Sequence, residues 1–311
     1  MKRFLIILFA LVISFSLFVC EKDDVASSDM LNESKESVES SEIIDPTANA
    51  SKVITSLDYL NNGKMGDTDG PAFAVYSKVG YNGASVDINL TDSEINTFLS
   101  DGRFVNAYCF LGLDVYEGNY WINCADIGLC WSGVNGGWHV FYNVYDTIDQ
   151  NQAKWYESRK ILPKNGNYRL TLTITENDSV SFTVESLNGS FKDSVIVGVK
   201  GAKKDGSNTS MLLNLALDYP ENTKLDSNGI PSNDWTKITL ANSYKGLCFK
   251  NLHAYNLSLF KNGERIDWTD ELNSSIGIWP DKAVDGFDYS PVEVYLFDGR
   301  EYVINLDMNR K

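Results

Sequence analysis

The strongest constraint on the fold is a strict alternation of apolar and polar residues in two adjacent runs. From Tyr168 to Thr175 the even-numbered positions are apolar and the odd-numbered ones polar, and Val180, Phe182 and Val184 repeat the pattern after Asn177-Asp178. A period of two places successive side chains on opposite faces of a β-strand. The segment is therefore predicted to be an antiparallel hairpin with one core face and one solvated face.

The rest of the chain after residue 71 carries the same kind of signal. Short β-branched and aromatic runs recur from Ala72 to Leu306 between clusters of Gly, Asn and Asp. The only helices expected are two short ones, Asp92 to Leu99 and Asp149 to Glu157. We therefore predict an all-β fold, an antiparallel two-sheet jelly-roll sandwich with very few short helices.

The N-terminal segment has the layout of a secretion signal. Residues 1–19 begin with Lys2 and Arg3 and continue as an uncharged apolar run that ends at Cys20. The junction Leu17-Phe18-Val19-Cys20 resembles the lipobox of bacterial lipoproteins, which implies lipidation at Cys20 and a lipid-anchored exported protein, exposed on the cell surface at the outer membrane. Val19 stands where Gly, Ala or Ser is usual, so an uncleaved signal anchor stays an alternative.

Residues 20–50 have the composition of a disordered acidic tether. They hold nine acidic and two basic residues and no aromatic residue, too little apolar surface to offset the entropy of folding. We divide the remainder into a β-sandwich domain at 51–270 and a C-terminal hairpin at 271–311, which either completes the sandwich or forms a small appended unit. The whole chain carries a formal charge of −15, which excludes nucleic acid as a partner and leaves the lipid anchor as the only membrane contact.

Two segments carry a resemblance to a known fold family. The lead-in Lys164-Asn165-Gly166-Asn167-Tyr168 and the later run from Gly246 to Asn256, which reads GLCFKNLHAYN, accompany the alternating hairpin. Together they resemble the concanavalin A-like and laminin-G-like jelly rolls over roughly residues 70 to 260. This resemblance implies a sandwich with a concave sheet face and says little about chemistry.

A polar and aromatic stretch from Val105 to Tyr145 is the candidate binding region. A two-residue turn at Glu117-Gly118 would pair Asp114 with Trp121 and place aromatic and polar side chains on one face. Aromatic planes beside a carboxylate and an amide suit the stacking and hydrogen bonding of sugar rings. The candidate ligand-binding residues are Tyr108, Asp114, Tyr116, Trp121, Asn123, Trp131 and Trp138.

These residues predict non-catalytic binding of a polysaccharide or other glycan at the cell surface. One alternative is packing of the same aromatic rings in a second layer, with a structural or adhesive role toward a protein partner. Another is a divergent glycoside hydrolase, which needs two carboxyl groups in one cleft. The register above puts Asp114 and Asp126 on opposite faces, so no catalytic residue is assigned and the protein is expected to be non-enzymatic.

The sequence predicts no metal site or cofactor with a complete set of ligands. The two histidines, His139 and His253, have no second histidine or cysteine cluster at ligand spacing. A structural calcium ion at Asp67 to Gly70 or Asp281 to Asp288 stays an alternative to solvated turns. Besides Cys20 there are four cysteines, Cys109, Cys124, Cys130 and Cys248. They form either two disulfides, with Cys109 to Cys124 and Cys130 to Cys248 as one pairing, or buried free thiols.

Overall fold

The computed structural model describes residues 47–55, 71–98, 104–132, 136–146, 151–218, 246–279 and 291–308. These residues form 17 β-strands in two antiparallel sheets. The part of the chain that the structure describes contains no α-helix, only a 3₁₀ turn at Asp270–Leu272. No helix in these ranges is long and apolar enough to cross a membrane. The signal, residues 20–46 of the tether and both candidate calcium loops lie outside the described residues.

The bounds of the strands are as follows. In chain order they are β1 (Lys52–Thr55), β2 (Ala72–Ser77), β3 (Gly83–Asn89), β4 (Glu94–Asn96), β5 (Ala107–Glu117), β6 (Tyr120–Trp131), β7 (Trp138–Asp146), β8 (Asn151–Glu157), β9 (Asn167–Glu176), β10 (Ser179–Ser186), β11 (Lys192–Gly198), β12 (Thr209–Leu217), β13 (Cys248–Lys261), β14 (Glu264–Asp267), β15 (Asn273–Trp279), β16 (Val292–Phe297) and β17 (Glu301–Asp307).

Sheet A has ten strands and sheet B has seven. Sheet A runs in the order β1-β16-β17-β13-β3-β9-β10-β11, with β4 and β14 also paired to β13. Sheet B runs in the order β15-β2-β12-β5-β6-β7-β8. The predicted fold class, an all-β two-sheet sandwich of the jelly-roll type, is confirmed. Strand β15 lies within sheet B, and β16 and β17 lie within sheet A, so the described strands after residue 272 contribute to both sheets.

The core lies between the inner faces of the two sheets. The alternating hairpin is β9 and β10, in which Leu172 pairs with Phe182 and both side chains are fully buried. On sheet B the inner face comes from the odd-numbered positions of β5, such as Leu111 and Leu113, which belong to the same buried cluster. The apolar positions of the alternating pattern therefore face the core, and the polar positions face outward.

Both predicted short helices are wrong. Residues 94–96 form β4, which pairs with β13, and residues 151–157 form β8, which pairs with β7. In each case a neighbouring strand supplies backbone partners for a short segment whose own helical propensity is weak, and isolated helices of this length are marginal. The predicted run Thr236 to Leu240 lies outside the described residues.

Candidate functional site

The register of sheet B differs from the prediction at the hairpin between β5 and β6. Glu117 pairs with Tyr120, which places the two-residue turn at Gly118-Asn119, and an irregularity between Val115 and Tyr116 shifts the register once more. Asp114 therefore pairs with Cys124, and the predicted pairing of Asp114 with Trp121 is wrong. A change of register moves side chains between faces, so the outer face of sheet B carries a different set of residues from the one predicted.

The outer face of sheet B, turned away from sheet A, carries three adjacent rows of side chains across the strands. The middle row is Ser275, Tyr76, Leu212, Gly112, Asp126, Asn143 and Trp155. On one side lies the row Ser210, Asp114, Cys124 and Tyr145, and on the other the row Asn214, Phe110, Gly128 and Phe141. Asp114 and Asp126 are thus diagonal neighbours on the same face. We call Gly112, Asp114, Asp126 and Asn143 the carboxyl site.

Gly112 leaves room for the carboxyl group of Asp126. A Cβ atom at position 112 would lie 3.3 Å from Asp126 Oδ1 and 2.8 Å from the carbonyl oxygen of Ala125. Any larger residue would press on the carboxyl group or on the backbone of β6. The absence of a side chain at 112 is therefore what lets Asp126 lie across β5.

Asp114 is held in place by two neighbouring side chains. Trp121 Nε1 donates a hydrogen bond to its Oδ1 at 3.1 Å, and the Tyr116 hydroxyl donates to its Oδ2 at 3.2 Å. Diagonal neighbours in an antiparallel pair stand about 7 to 8 Å apart, and their carboxyl groups can approach more closely than that. Asp114 therefore presents a fixed, hydrogen-bonded carboxylate beside Asp126.

Asp126 titrates near neutrality. The side chain is half-buried, and its burial together with the negative charge of Asp114 raises the pKa of Asp126 to about 7. Both causes disfavour the ionised form, since one withdraws water from the charge and the other places a like charge nearby. Below about pH 7 the Asp126 carboxyl group therefore holds its proton.

Tyr76 and Cys124 stay protonated beside this pair. Burial, and then the charges of Asp114 and Asp126, raise the pKa of the Tyr76 hydroxyl well above its ordinary value. Burial and the same two charges, Asp126 first, raise the pKa of the Cys124 thiol in the same direction. Tyr76 can therefore donate a hydrogen bond at this site, whereas Cys124 is a poor nucleophile because the thiolate is the reactive form.

Four of the seven predicted ligand residues lie on the outer face and three do not. Tyr108, Asp114 and Tyr116 lie on this face of β5. Trp121 lies at the turn end of β6, next to Asp114. The Tyr108 hydroxyl lies apart from the carboxyl site and donates to Asp218 Oδ2 at 2.7 Å.

Asn123, Trp131 and Trp138 were placed on the wrong face. Asn123 is buried toward the core, where its Nδ2 donates to the carbonyl of Lys200 at 3.0 Å. Trp138 is buried between the sheets, with its ring 5.5 Å from that of Phe249, and Trp131 packs against it. The irregularity between Val115 and Tyr116 turns Asn123 toward the core. The two tryptophans were predicted to flank a loop, although they end the paired strands β6 and β7.

Two members of the carboxyl site were missed. Asp126 was weighed as a partner of Asp114 and assigned to the opposite face, and Asn143 was not considered. Asn143 pairs with Asp126 across β6 and β7. A turn at Gly118-Asn119 alone keeps Asp114 and Asp126 on opposite faces, and only the irregularity between Val115 and Tyr116 brings them to one face.

The described histidines and cysteines form no metal or thiol centre. His139 is buried, with Nδ1 2.7 Å from the Ser158 carbonyl oxygen and Nε2 3.0 Å from that of Gly136. Within the described ranges no group of three or more His, Cys, Asp or Glu residues is arranged to hold a metal ion. Cys109, Cys124, Cys130 and Cys248 are free thiols. Cys109 lies in the core and Cys124 on the outer face, so of the two alternatives left open by the sequence the free thiols agree with the structure and a Cys109–Cys124 disulfide does not.

Comparison with known proteins identifies similar folds. No protein-family model matches the chain, and no curated protein matches it. A scytalido-glutamic peptidase with a transition-state analogue inhibitor is 12% identical, over 76% of this chain and 96% of that chain, with a TM-score of 0.41. SCP-B, a member of the eqolisin family of peptidases in complex with the tripeptide Ala-Ile-His, gives the same values. The aspergilloglutamic peptidase from Aspergillus niger is 13% identical, over 65% of this chain and 98% of that chain, with a TM-score of 0.33.

The expectation of non-catalytic glycan binding is wrong. The finding that overturns it is that these similar structures are peptidases. At these identities the similarity extends to the fold alone, so the chemistry of this chain has to be argued from its own residues.

Proposed function

We propose that this protein is a hydrolase that cleaves peptide bonds by general acid–base catalysis, with Asp126 as the acid and Asp114 as the base. One observation carries the proposal: the two carboxyl groups share one face of adjacent strands, and burial and the charge of Asp114 raise the pKa of Asp126 to about 7. A strongly perturbed pKa with a specific charged neighbour is typical of catalytic groups.

The pair supplies both proton transfers that amide hydrolysis needs. The Asp114 carboxylate accepts a proton from a water molecule as the water oxygen attacks the carbonyl carbon. The neutral Asp126 carboxyl donates its proton to the carbonyl oxygen, and a proton must then pass to the leaving amine nitrogen as the C–N bond breaks. Two neighbouring carboxyl groups that hold one proton between them are suited to this exchange.

Tyr76 supports the same chemistry as a neutral donor. Its hydroxyl lies close enough to Asp114 and Asp126 for both charges to raise its pKa. It therefore keeps its proton throughout the pH range in which Asp126 titrates. A hydroxyl donor fixed beside the pair stabilises negative charge that develops on the carbonyl oxygen.

The test is hydrolysis of reduced, carboxymethylated insulin B chain by the full chain between pH 3 and pH 9. We expect kcat to fall on the alkaline side with a midpoint near pH 7. Asp126→Asn and Asp114→Asn should each lower kcat by about 10² to 10⁴, the usual contribution of a positioned acid or base.

Glu117→Gln is the matched control for the charge change. Glu117 is an exposed carboxylate at the turn end of the same strand as Asp114, so its replacement should leave kcat unchanged. Absence of cleavage at every pH, or full activity in Asp126→Asn, would contradict the proposal.

We further propose that the protein is exported and lipid-anchored at Cys20. The support is in the sequence: a basic start, an apolar run to Val19 and an acidic stretch after Cys20. Cys20→Ala should move the expressed protein from the membrane fraction to the soluble fraction. If both proteins fractionate alike, the anchor is not at Cys20.

A further inference from the structure

Exposed aromatic rings lie on one side of the carboxyl site, toward the β8 edge of sheet B. Tyr145 is 39% exposed and Trp155 is 48% exposed. Tyr145 pairs with Cys124 in the row of Asp114, and Trp155 follows Asn143 in the row of Asp126. The two rings therefore lie within one or two strand spacings of Asp126.

Trp155 rests on a buried aromatic cluster that holds its ring. Its centroid lies 5.3 Å from that of Phe141 and 6.1 Å from that of Tyr108. Packing on one side fixes the indole and leaves nearly half of the side chain in contact with solvent. A rigid, half-exposed aromatic ring beside a polar centre offers apolar area to a ligand at little entropic cost.

Asn143, between these rings, has an unused hydrogen-bond acceptor. Its Nδ2 donates to the Tyr145 hydroxyl at 2.6 Å, while its Oδ1 is shielded from solvent and meets no donor among the described residues. Leaving such an oxygen unpaired is costly, and the usual remedy is a donor from water or a ligand. The amide is oriented by Tyr145, and a donor from a bound chain reaches Oδ1 only after the side chains that cover it move.

We infer that Asn143, Tyr145 and Trp155 form a subsite for a large apolar or aromatic residue of the substrate, next to the bond that is cleaved. The backbone N–H of that residue, or of the one beside it, donates to Asn143 Oδ1, and its side chain packs on the exposed face of Trp155. Neighbouring strands lie about 4.8 Å apart and an extended chain advances about 3.3 Å per residue, so β7 lies one to two residues from Asp126.

This inference rests on the proposed function and names the substrate class: extended peptides with a bulky apolar residue beside the cleaved bond. Mapping of the bonds cut in reduced, carboxymethylated insulin B chain tests it by mass spectrometry. We expect wild-type cuts next to Leu, Phe or Tyr. Trp155→Ala should raise KM for those bonds about tenfold and spread the cuts to other residues, and Trp155→Phe should restore the pattern. Asn143→Leu should raise KM while the Tm stays at or above that of wild type, because an unpaired amide has been removed from the site.

Tyr156→Ala is the matched control. Tyr156 is the next residue on β8, is 38% exposed, and stacks on Tyr142 with centroids 5.0 Å apart, on the opposite face from Trp155. It should leave the cleavage pattern unchanged. Wild-type cuts and KM in Trp155→Ala and Asn143→Leu, with activity still abolished in Asp126→Asn, would overturn the subsite and leave the proposed function intact.

A separate binding measurement distinguishes the two failures. If the wild type cuts nothing, the proposed function fails, and the subsite is then tested by the affinity of Asp126→Asn for the same peptide. Adding Trp155→Ala to that variant should weaken binding about tenfold, and adding Tyr156→Ala should not. Equal affinity in both double variants, or a self-associating wild type that becomes monomeric in Trp155→Ala, would overturn the subsite.

Discussion

Two carboxyl groups on the outer faces of the two sheets have opposite electrostatic surroundings. On sheet A, Asp87 is 1% exposed and accepts hydrogen bonds at 2.7 Å from both Arg169 Nε and Arg169 Nη2. Asn256 Nδ2 adds a third at 2.9 Å. On sheet B, Asp126 faces another carboxylate, Asp114, and its pKa rises to about 7. A buried carboxyl group with a counter-charge belongs to the framework, whereas one with a like charge can exchange a proton near neutral pH.

The largest expected effect tests the framework half of this comparison. Asp87→Ala leaves the Arg169 guanidinium without its partner and should lower the free energy of unfolding by about 3 kcal/mol, since an unpaired charge remains in a partly buried place. Activity per folded molecule should not change. Urea denaturation measures the first quantity and peptide hydrolysis the second.

The control for Asp87 is an exposed ion pair on the same sheet. Lys204 and Glu176 lie 3.1 Å apart with both side chains exposed, so Glu176→Ala should cost less than about 1 kcal/mol. If Asp87→Ala costs no more than Glu176→Ala, the pair with Arg169 is not part of the framework.

The next effect is the pH dependence of stability caused by Asp126. Its pKa is about 7 in the folded protein against an ordinary 3.8, so between these values the folded state holds a proton that the unfolded chain has released. Stability is therefore highest below the ordinary pKa and falls as pH rises through about 7. After a discount for partial solvent access, we expect a loss of about 2 kcal/mol relative to Asp126→Asn.

Urea denaturation of the wild type and Asp126→Asn at pH 4.5 and pH 7.5 measures this difference. Other groups titrate in the same range, so the quantity to compare is the difference between the two proteins. If the stability of both proteins changed equally with pH, Asp126 would not titrate near neutral pH, and the proposed difference between Asp126 and Asp87 would be lost.

The smallest effect concerns the side chains that donate hydrogen bonds to the Asp114 carboxylate. Trp121→Phe keeps an aromatic ring and removes the 3.1 Å hydrogen bond to Oδ1, so kcat should fall about fivefold, which corresponds to about 1 kcal/mol. Stability should change by less than about 0.5 kcal/mol because the position is exposed. Tyr120→Phe, at the neighbouring and more exposed position, should change neither quantity.

The sequence was sufficient for the fold class and insufficient for the site. The alternation in β9 and β10 is unambiguous because each apolar residue is followed by a polar one, and the hairpin forms with the predicted pairing of faces. In β6 the run Trp121 to Asp126 has no such contrast: Asn123 is polar and faces inward, whereas Cys124 is small and faces outward. Where both faces carry mixed residues, hydrophobic pattern does not determine register.

One irregularity in the hairpin decides the chemistry of the site. Moving the turn from Glu117-Gly118 to Gly118-Asn119 leaves Asp114 and Asp126 on opposite faces, and only the irregularity between Val115 and Tyr116 brings them together. The unused oxygen of Asn143 has no counterpart in the sequence, since it depends on where the Tyr145 hydroxyl lies. Site geometry of this kind follows from register and packing, which a single sequence encodes only weakly.

The pairing of β1 with β16 has a consequence for the order of folding. The Ser51 hydroxyl donates to the Leu296 carbonyl at 2.8 Å across 245 residues of chain, and Lys52 to Thr55 pair with Glu293 to Leu296. Contacts of such long sequence separation form slowly because the intervening loop must close first. Sheet A therefore stays incomplete until residues beyond 292 are available, and β1 stays unpaired in a chain that is still emerging from the ribosome.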